Sequence, residues 1–321
     1  AFDGIIFDEP LDVMPSRQSV FERVAAAGLE EDMAPLLWLD DMVGAIVAKL
    51  EEEGLRENTM IALMQDNGHH WDGKNTIYQG GIHVSPAFLS WPTGQARPGR
   101  ECHELVSSLD LLPTFMEVAG VEPPNDLALD GTSLMPLIGG AEDRPLRESL
   151  YAELGHTRAV ITKRWKYLAF RVPDSRRYTE EETRLYWDRV ARDPTGVTKL
   201  MGCRETHMQN SDPGYVPIAW YSRQQHFFDE DQLFDLDADP AETVNLAGRL
   251  EHASVLADMK RQLRDHLLTL PGTFAEFKTL EDCPPEVAAL LERARREPLV
   301  KVSTNRRISD KMPKPLDRKA K

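Results

Sequence analysis

The stretch Thr59-Met60-Ile61-Ala62-Leu63-Met64-Gln65 is a compact apolar run, and it ends at Asp66-Asn67-Gly68. A short run closed by turn-forming residues is typical of a strand buried on both faces of an α/β sheet. Before it, apolar residues recur every three or four positions, which predicts a helix with one buried stripe. The members of that stripe are Leu36, Leu39, Met42, Val43, Ile46, Val47 and Leu50. Gly54 stands where the C-cap of this helix is expected.

The same order repeats further along the chain. Pro86–Trp91 is a second apolar run, and a helix is predicted from about Asp110 to Ala119 with Pro113 in its first turn. Buried strands alternating with helices predict the fold class, an α/β doubly wound sheet. We assign residues 1–140 to part of this α/β domain.

Shorter, half-buried strands follow and predict a small antiparallel sheet at Leu150–Leu154, Arg158–Thr162, Trp165–Phe170 and Gln232–Leu236. An amphipathic helix carrying Leu256, Met259, Leu263, Leu267 and Leu270 closes this second, α+β domain. We place the domain at 141–298, with a long insertion at about 173–231 that contains one helix introduced by Thr179 and Glu182. Residues 299–321 form a tail with eight basic and two acidic residues.

Composition restricts the partners. The formal net charge of −15 disfavours nucleic acid and anionic membranes. The longest apolar stretches, of about six residues, are far shorter than a membrane span of roughly 20. The three cysteines, Cys102, Cys203 and Cys283, have neither a disulfide framework nor metal-ligand spacing.

Asp66 and Asn67 lie at the carboxyl end of a predicted strand, where open α/β sheets collect ligands. Their oxygens suit Ca²⁺ or Mg²⁺, although Asn-Gly is also a common turn dipeptide. Lys74 follows in a glycine-bounded loop, Gly73 to Gly81, from which a lysine can contact a tetrahedral oxyanion. A lone lysine is more often simply solvated.

An ordered series of segments from about residue 35 to 270 resembles the sulfatase family, the formylglycine-dependent branch of the alkaline-phosphatase-like enzymes. In the first part the matching segments are Asn58-Thr59, Asp66-Asn67-Gly68, Lys74 to Gly81, Trp91-Pro92, Glu104 to Thr114, Ala119-Gly120, Leu129-Asp130-Gly131 and Ser133-Leu134. In the second part they are Arg164-Trp165-Lys166-Tyr167, Gln232 to Leu236, Asp239-Pro240, Glu242-Thr243 and Asn245-Leu246.

The resemblance implies that Asp66 and Asn67 are two ligands of a catalytic Ca²⁺, with Mg²⁺ as the alternative ion, and that Lys74 contacts the sulfate and the leaving-group oxygen. It also makes His70 and His156 candidate substrate contacts, although an ordinary surface histidine is the alternative in each case. The sequence departs from the family pattern at Gln79, His83 and Ser85, which affects the path of this loop.

The family's Cys-x-Pro-Ser-Arg motif, which carries the formylglycine, is missing. Met14-Pro15-Ser16-Arg17 imitates its end, but Val13 occupies the nucleophile position, and we interpret the match as coincidental. Asp40-Asp41 falls inside a predicted helix and is therefore not the family's metal-binding pair. We expect an N-terminal sulfatase segment or chain to supply the formylglycine and the other ligands.

The resulting hypothesis is hydrolysis of sulfate esters of small molecules or glycans, with this chain contributing part of the site. A phosphodiesterase or phosphonate hydrolase of the same superfamily is the first alternative, and a catalytically inert binding or structural subunit is the second. A homo-oligomer is compatible with the sequence. The cellular location stays open among periplasm, exterior and cytoplasm.

Overall fold

The computed structural model describes residues 13–68, 76–84, 87–90, 96, 99–139, 145–171, 181, 184, 226, 227 and 229–296. They fall into two compact units, one reaching to Leu150 and the other continuing from Tyr151. The predicted insertion at 173–231 lies almost entirely outside this part of the chain, as do Thr179 and Glu182, and the tail 299–321 lies wholly outside it. The domain limits at 140 and 298 therefore stay predictions.

The helices in the described part of the first unit are α1 Arg17–Ala26, α2 Ala34–Glu52, α3 Gln79–Ile82, α4 Leu111–Ala119 and α5 Met135–Ile138. Helix α2 confirms the predicted helix, but the prediction that its apolar stripe is buried is wrong, because Leu36, Leu39, Met42 and Ile46 are exposed. Gly54 follows the helix with a φ of 67°. The N–H groups of Gly54 and Leu55 donate to the carbonyls of Glu51 and Leu50, at 3.0 and 2.8 Å, which is the Schellman ending that favours glycine.

Helix α1 was not predicted. It begins after Ser16, whose side chain accepts a hydrogen bond from the Ser19 N–H at 3.2 Å. Ser16 is thus the N-cap of a helix. This capping role accounts for the serine without any link to a nucleophile motif.

Two strands of the first unit lie among the described residues, β1 Ile61–Leu63 and β2 Ala87–Ser90, and they pair antiparallel with Ala62 opposite Phe88. The prediction that β1 is buried on both faces is wrong, because Ala62 and Leu63 are exposed. Nothing in the described part of this unit forms a layer over them, since α2 packs mainly against α1.

The second unit contains a sheet of β3 Leu150–Leu154, β4 Thr157–Ile161, β5 Trp165–Phe170 and β6 Asp231–Asp235, in that spatial order. Pairing is antiparallel between β4 and β5 and between β5 and β6, as predicted. Helix α6 Ala253–Leu268 covers one face with Met259, Leu263 and Leu267, which are buried against Val160, Tyr167 and Leu233. Helix α7 Pro285–Arg296, which was not predicted, follows.

No helix within the described ranges is both long enough and apolar enough to span a bilayer. Cys102 is exposed and Cys283 is buried, and neither is bridged.

Candidate functional site

The candidate site lies at the end of β1. The chain bends at Asp66 and Asn67, leaving the Asp66 side chain exposed and that of Asn67 half-buried. The next residue, Gly68, donates its N–H to the carbonyl of Gly81 at 3.0 Å. The strand end is therefore joined directly to α3.

Glycine is required at this junction. A Cβ on Gly68 would lie 1.6 Å from the carbonyl oxygen of Gly80, far inside van der Waals contact. The segment on the other side is anchored in turn by burial of Thr76, Ile77 and Tyr78. The Asp66-Asn67 bend and the start of α3 are thus held together backbone to backbone.

The predicted site residues are distributed unevenly over the structure. Lys74 and His70 lie outside the described residues, although Thr76, two positions after Lys74, belongs to the buried segment beside Gly68. His156 lies in the turn between β3 and β4 of the second unit, where its carbonyl accepts a hydrogen bond from the Arg171 N–H at 2.9 Å. The structure thus brings Asp66 and Asn67 next to α3, and the roles of all five residues stay predictions.

The donor set at Asp66-Asn67 suits a hard divalent cation, because it offers a carboxylate and an amide oxygen. Within the described ranges no three His, Cys, Asp or Glu side chains cluster closely enough to hold a metal ion. A Ca²⁺ ion takes six to eight oxygens. Asp66 and Asn67 can therefore supply only a minority of the ligands.

Asp110 is a buried residue whose role the sequence reasoning missed. Its carboxylate accepts hydrogen bonds from the N–H groups of Ser107 and Thr132, at 2.7 and 2.8 Å, and two from the Arg147 guanidinium, at 2.6 and 2.5 Å. Gly131, just before Thr132, lies directly against the backbone of Leu109. A Cβ at this position would be 2.0 Å from the Leu109 carbonyl oxygen. The Ser107 to Asp110 spacing, a capping box, was the available signal.

The motif residues of the second unit are also hydrogen-bond or ion-pair partners of one another. The Arg164 guanidinium donates to both oxygens of Asp235, at 2.7 Å for the shortest bond, and these hydrogen bonds hold the pKa of Asp235 below its usual value. Lys166 pairs with Glu242 at 2.7 Å. Asn245 accepts a hydrogen bond from the Leu233 N–H at 3.0 Å. These contacts give the motif residues a role in stabilising the fold and not in catalysis.

Asp235, Asp237 and Asp239 resemble the start of a calcium-binding loop, but they form a turn. The Asp239 carboxylate accepts hydrogen bonds from the Thr243 hydroxyl and the Val244 N–H, at 2.9 and 2.8 Å. Since Asp235 is bound by Arg164, two of the three carboxylates are already occupied by protein donors.

Asp40 and Asp41 lie within α2, as predicted. Asp41 accepts two hydrogen bonds from Arg23 of α1, at 3.0 and 2.5 Å, and these bonds lower its pKa. The Arg23–Asp41 ion pair joins α1 to α2, and Asp40-Asp41 is not a metal site.

Comparison with known proteins identifies the class. The Sulfatase family model matches residues 22–121, a range that contains α2, β1 and the Asp66-Asn67 bend. Rat steryl-sulfatase is 30% identical over 252 residues, covering 72% of this chain and 39% of that protein. Human arylsulfatase A is 40% identical over 129 residues, covering 36% of this chain and 24% of that protein.

The chain belongs to the sulfatase family. A Bacteroides fragilis protein assigned to the sulfatases has a similar structure, with a TM-score of 0.51 at 18% identity, covering 84% of this chain and 48% of that one. This likeness shows the fold and confirms the predicted α/β, alkaline-phosphatase-like class. The chain spans between about a quarter and two fifths of the length of these curated relatives.

Proposed function

We propose that this chain takes part in the hydrolysis of sulfate esters at a divalent-metal site, with Asp66 and Asn67 as two of the ligands. The observation that carries the proposal is the exposed Asp66 at the end of β1, inside the matched range and fixed against α3 by Gly68. An exposed carboxylate on a backbone held this tightly is positioned before any ion arrives.

A bound Ca²⁺ or Mg²⁺ would neutralise sulfate oxygens as a Lewis acid, and the family's formylglycine, whose motif this sequence lacks, would supply the nucleophile. The Asp66 carboxylate and the Asn67 amide oxygen would hold one side of the ion. Because they provide one formal negative charge, further carboxylates must complete the site.

Lys74 is proposed to contact the sulfate and the oxygen of the leaving alcohol. An ammonium group aimed at an oxygen that gains negative charge stabilises the transition state more than the ground state. His70 and His156 are proposed as contacts to the rest of the substrate, a sulfated small molecule or glycan. Their loss would then raise KM more than it lowers kcat.

The test uses the natural full-length protein or complex that contains this chain, with 4-methylumbelliferyl sulfate as substrate. Asp66→Ala should lower kcat/KM by about 100-fold, and Lys74→Ala should lower kcat by a similar factor. Asp40→Ala, an exposed acid on α2, is the matched control and should leave turnover unchanged. Removal of the metal with EDTA should abolish activity, and Ca²⁺ should restore it.

Full turnover in Asp66→Ala would overturn the ligand assignment. Faster hydrolysis of bis(4-nitrophenyl) phosphate than of the sulfate would replace the proposal with the phosphodiesterase alternative. Hydrolysis of neither ester by the complete assembly would favour the inert subunit.

A further inference from the structure

Asn67-Gly68 is the only Asn-Gly pair in the sequence, and such a pair can react with itself. The peptide nitrogen of the glycine attacks the side-chain carbonyl carbon of the asparagine. A C–N bond forms and closes a succinimide ring, while the side-chain amide bond breaks and ammonia leaves. Water then opens the ring at either carbonyl, which gives aspartate or isoaspartate. Glycine allows the attack most readily, because it has no side chain in the way.

The peptide nitrogen of Gly68 is already engaged in the structure. Its N–H donates to the carbonyl of Gly81 at 3.0 Å. To attack Asn67, the nitrogen must lose this proton to a base and turn towards the side-chain carbonyl. Neither step is possible while the N–H is directed at Gly81. The reaction in the folded protein is therefore limited by how often this hydrogen bond opens.

Both sides of this hydrogen bond are fixed. Gly81 is buried in α3, and its own N–H donates to the carbonyl of Tyr78 at 2.9 Å. Tyr78 is 2% exposed and its neighbour Ile77 is 4% exposed, so the acceptor side is anchored in the interior. On the donor side, Gly68 lies so close to the Gly80 carbonyl oxygen that a Cβ would be 1.6 Å from it. The Gly68 peptide consequently has little freedom to rotate.

We infer that Asn67-Gly68 is a latent modification site, a succinimide-forming pair that the hydrogen bond from Gly68 to Gly81 keeps unreacted. When this hydrogen bond opens, deamidation converts Asn67 irreversibly to aspartate or isoaspartate. The protection follows from the backbone contacts alone. Only the consequence for metal binding rests on the proposed function, in which Asn67 is a ligand.

The two products have different effects on the candidate site. Isoaspartate places an additional carbon in the main chain before Gly68, so the glycine can no longer face Gly80 and Gly81 in the same register. Aspartate leaves the main chain unchanged and puts a second carboxylate next to Asp66. Isoaspartate, the usual major product of an Asn-Gly pair, therefore disrupts the strand end, whereas aspartate changes only its charge.

The first test compares deamidation in the folded and unfolded states of the natural full-length protein or complex that contains this chain. Samples in mildly alkaline buffer, with and without guanidinium chloride, are followed by peptide mass spectrometry. Asn67 should deamidate at least about tenfold more slowly in the folded state. Asn125, which is exposed in a turn, is the internal reference and should react at similar rates in both.

The second test loosens the acceptor side without changing the dipeptide. Ile77→Ala, with Ile77→Val as the milder form, removes buried volume next to Tyr78 and should speed deamidation of Asn67 in native buffer several-fold. Val24→Ala is the matched control, since Val24 is equally buried but packs between α1 and α2, and it should leave the rate unchanged. Circular dichroism checks that each variant is folded.

Equal rates at Asn67 in the folded and unfolded protein would overturn the inference, as would folded Ile77 variants that react no faster than Val24→Ala. Turnover of 4-methylumbelliferyl sulfate is measured in the same samples. A loss of turnover in step with the deamidated fraction supports the ligand role of Asn67. Full turnover after deamidation would refute that role and leave the protection standing, because the mass measurement does not depend on activity.

Discussion

Lys166 Nζ lies 2.7 Å from Glu242 Oε1, and the two side chains are 0% and 1% exposed. Lys166 is in the middle of the sheet, on β5, whereas Glu242 belongs to the turn after β6 and has a φ of 56°. Burial lowers the pKa of Lys166, and the opposite charge of Glu242 counters this effect. The pair therefore fixes the turn to the sheet and keeps both charges away from water.

Loss of one partner should be strongly destabilising. In Glu242→Gln the ammonium of Lys166 stays buried without its counter-charge, which typically costs about 3–5 kcal/mol. Lys166→Met combined with Glu242→Leu should cost less than Glu242→Gln alone, because no charge is left buried. Urea unfolding followed by circular dichroism measures these differences. Lys49→Ala, which removes two exposed ion pairs at the end of α2, is the control and should leave stability nearly unchanged.

Arg147 should be irreplaceable by lysine. Its two hydrogen bonds to the fully buried Asp110 need the planar guanidinium fork, which an ammonium does not reproduce. We expect Arg147→Lys to destabilise the first unit by about 2 kcal/mol or more. Glu148→Ala, at the exposed neighbouring position, should be close to neutral in the same unfolding experiment. Equal stability of the two variants would contradict the role given to Asp110.

Two glycines should respond in opposite ways to the same substitution. Gly68→Ala puts a methyl group 1.6 Å from the Gly80 oxygen, so the strand end and α3 must separate. Gly44→Ala, inside α2 with nothing within 4 Å of the new methyl, should stabilise the helix by about 0.5–1 kcal/mol. Thermal unfolding should show a lower midpoint for the first variant and a higher one for the second. Hydrolysis by the complete assembly should fall only for Gly68→Ala.

Arg164 should contribute to the acid stability of the second unit. It lowers the pKa of Asp235, so the folded state binds this proton less readily than the unfolded chain, whose Asp pKa is roughly 3.9. The stabilisation is complete above that value and is lost as the pH falls through the lower, folded-state pKa. Arg164→Ala should raise the pKa of Asp235, measured by carboxyl ¹³C NMR. Because Arg164 is exposed, solvent screens the ion pair and the loss of stability near neutral pH should be small. Arg249→Ala, which removes an equal charge elsewhere, should leave the pKa of Asp235 in place.

Local patterns predicted much of the fold. β3 and β5 begin and end at the predicted residues, and α2 contains its predicted stripe. Helix α6 contains its predicted stripe except for Leu270, which lies beyond the helix end at Leu268. The periodicity of these elements is set locally, although their partners include distant residues, since β5 pairs with β6 and α6 packs against β4 and β5. α1 and α7 were missed because their apolar positions are few, although Ser16 gave a capping signal for α1.

Burial could not be predicted in the same way. An apolar run such as Ile61–Leu63 indicates that a strand is suited to burial, but whether it is covered depends on what else is present. The same holds for the apolar stripe of α2, whose residues Leu36, Leu39, Met42 and Ile46 are exposed. At the candidate site, the sequence identified Asp66 and Asn67 at a strand end, but the Gly68–Gly80 contact, which fixes them, has no local pattern.

The contact of Gly68 with Gly80 also restricts how this part of the protein can diversify. Two stretches of chain that touch through bare backbone cannot shift independently, so an inserted or deleted residue in either would disturb both. Changes in substrate preference among relatives should therefore arise from exchanged side chains and from loops elsewhere, while Gly68 stays a glycine.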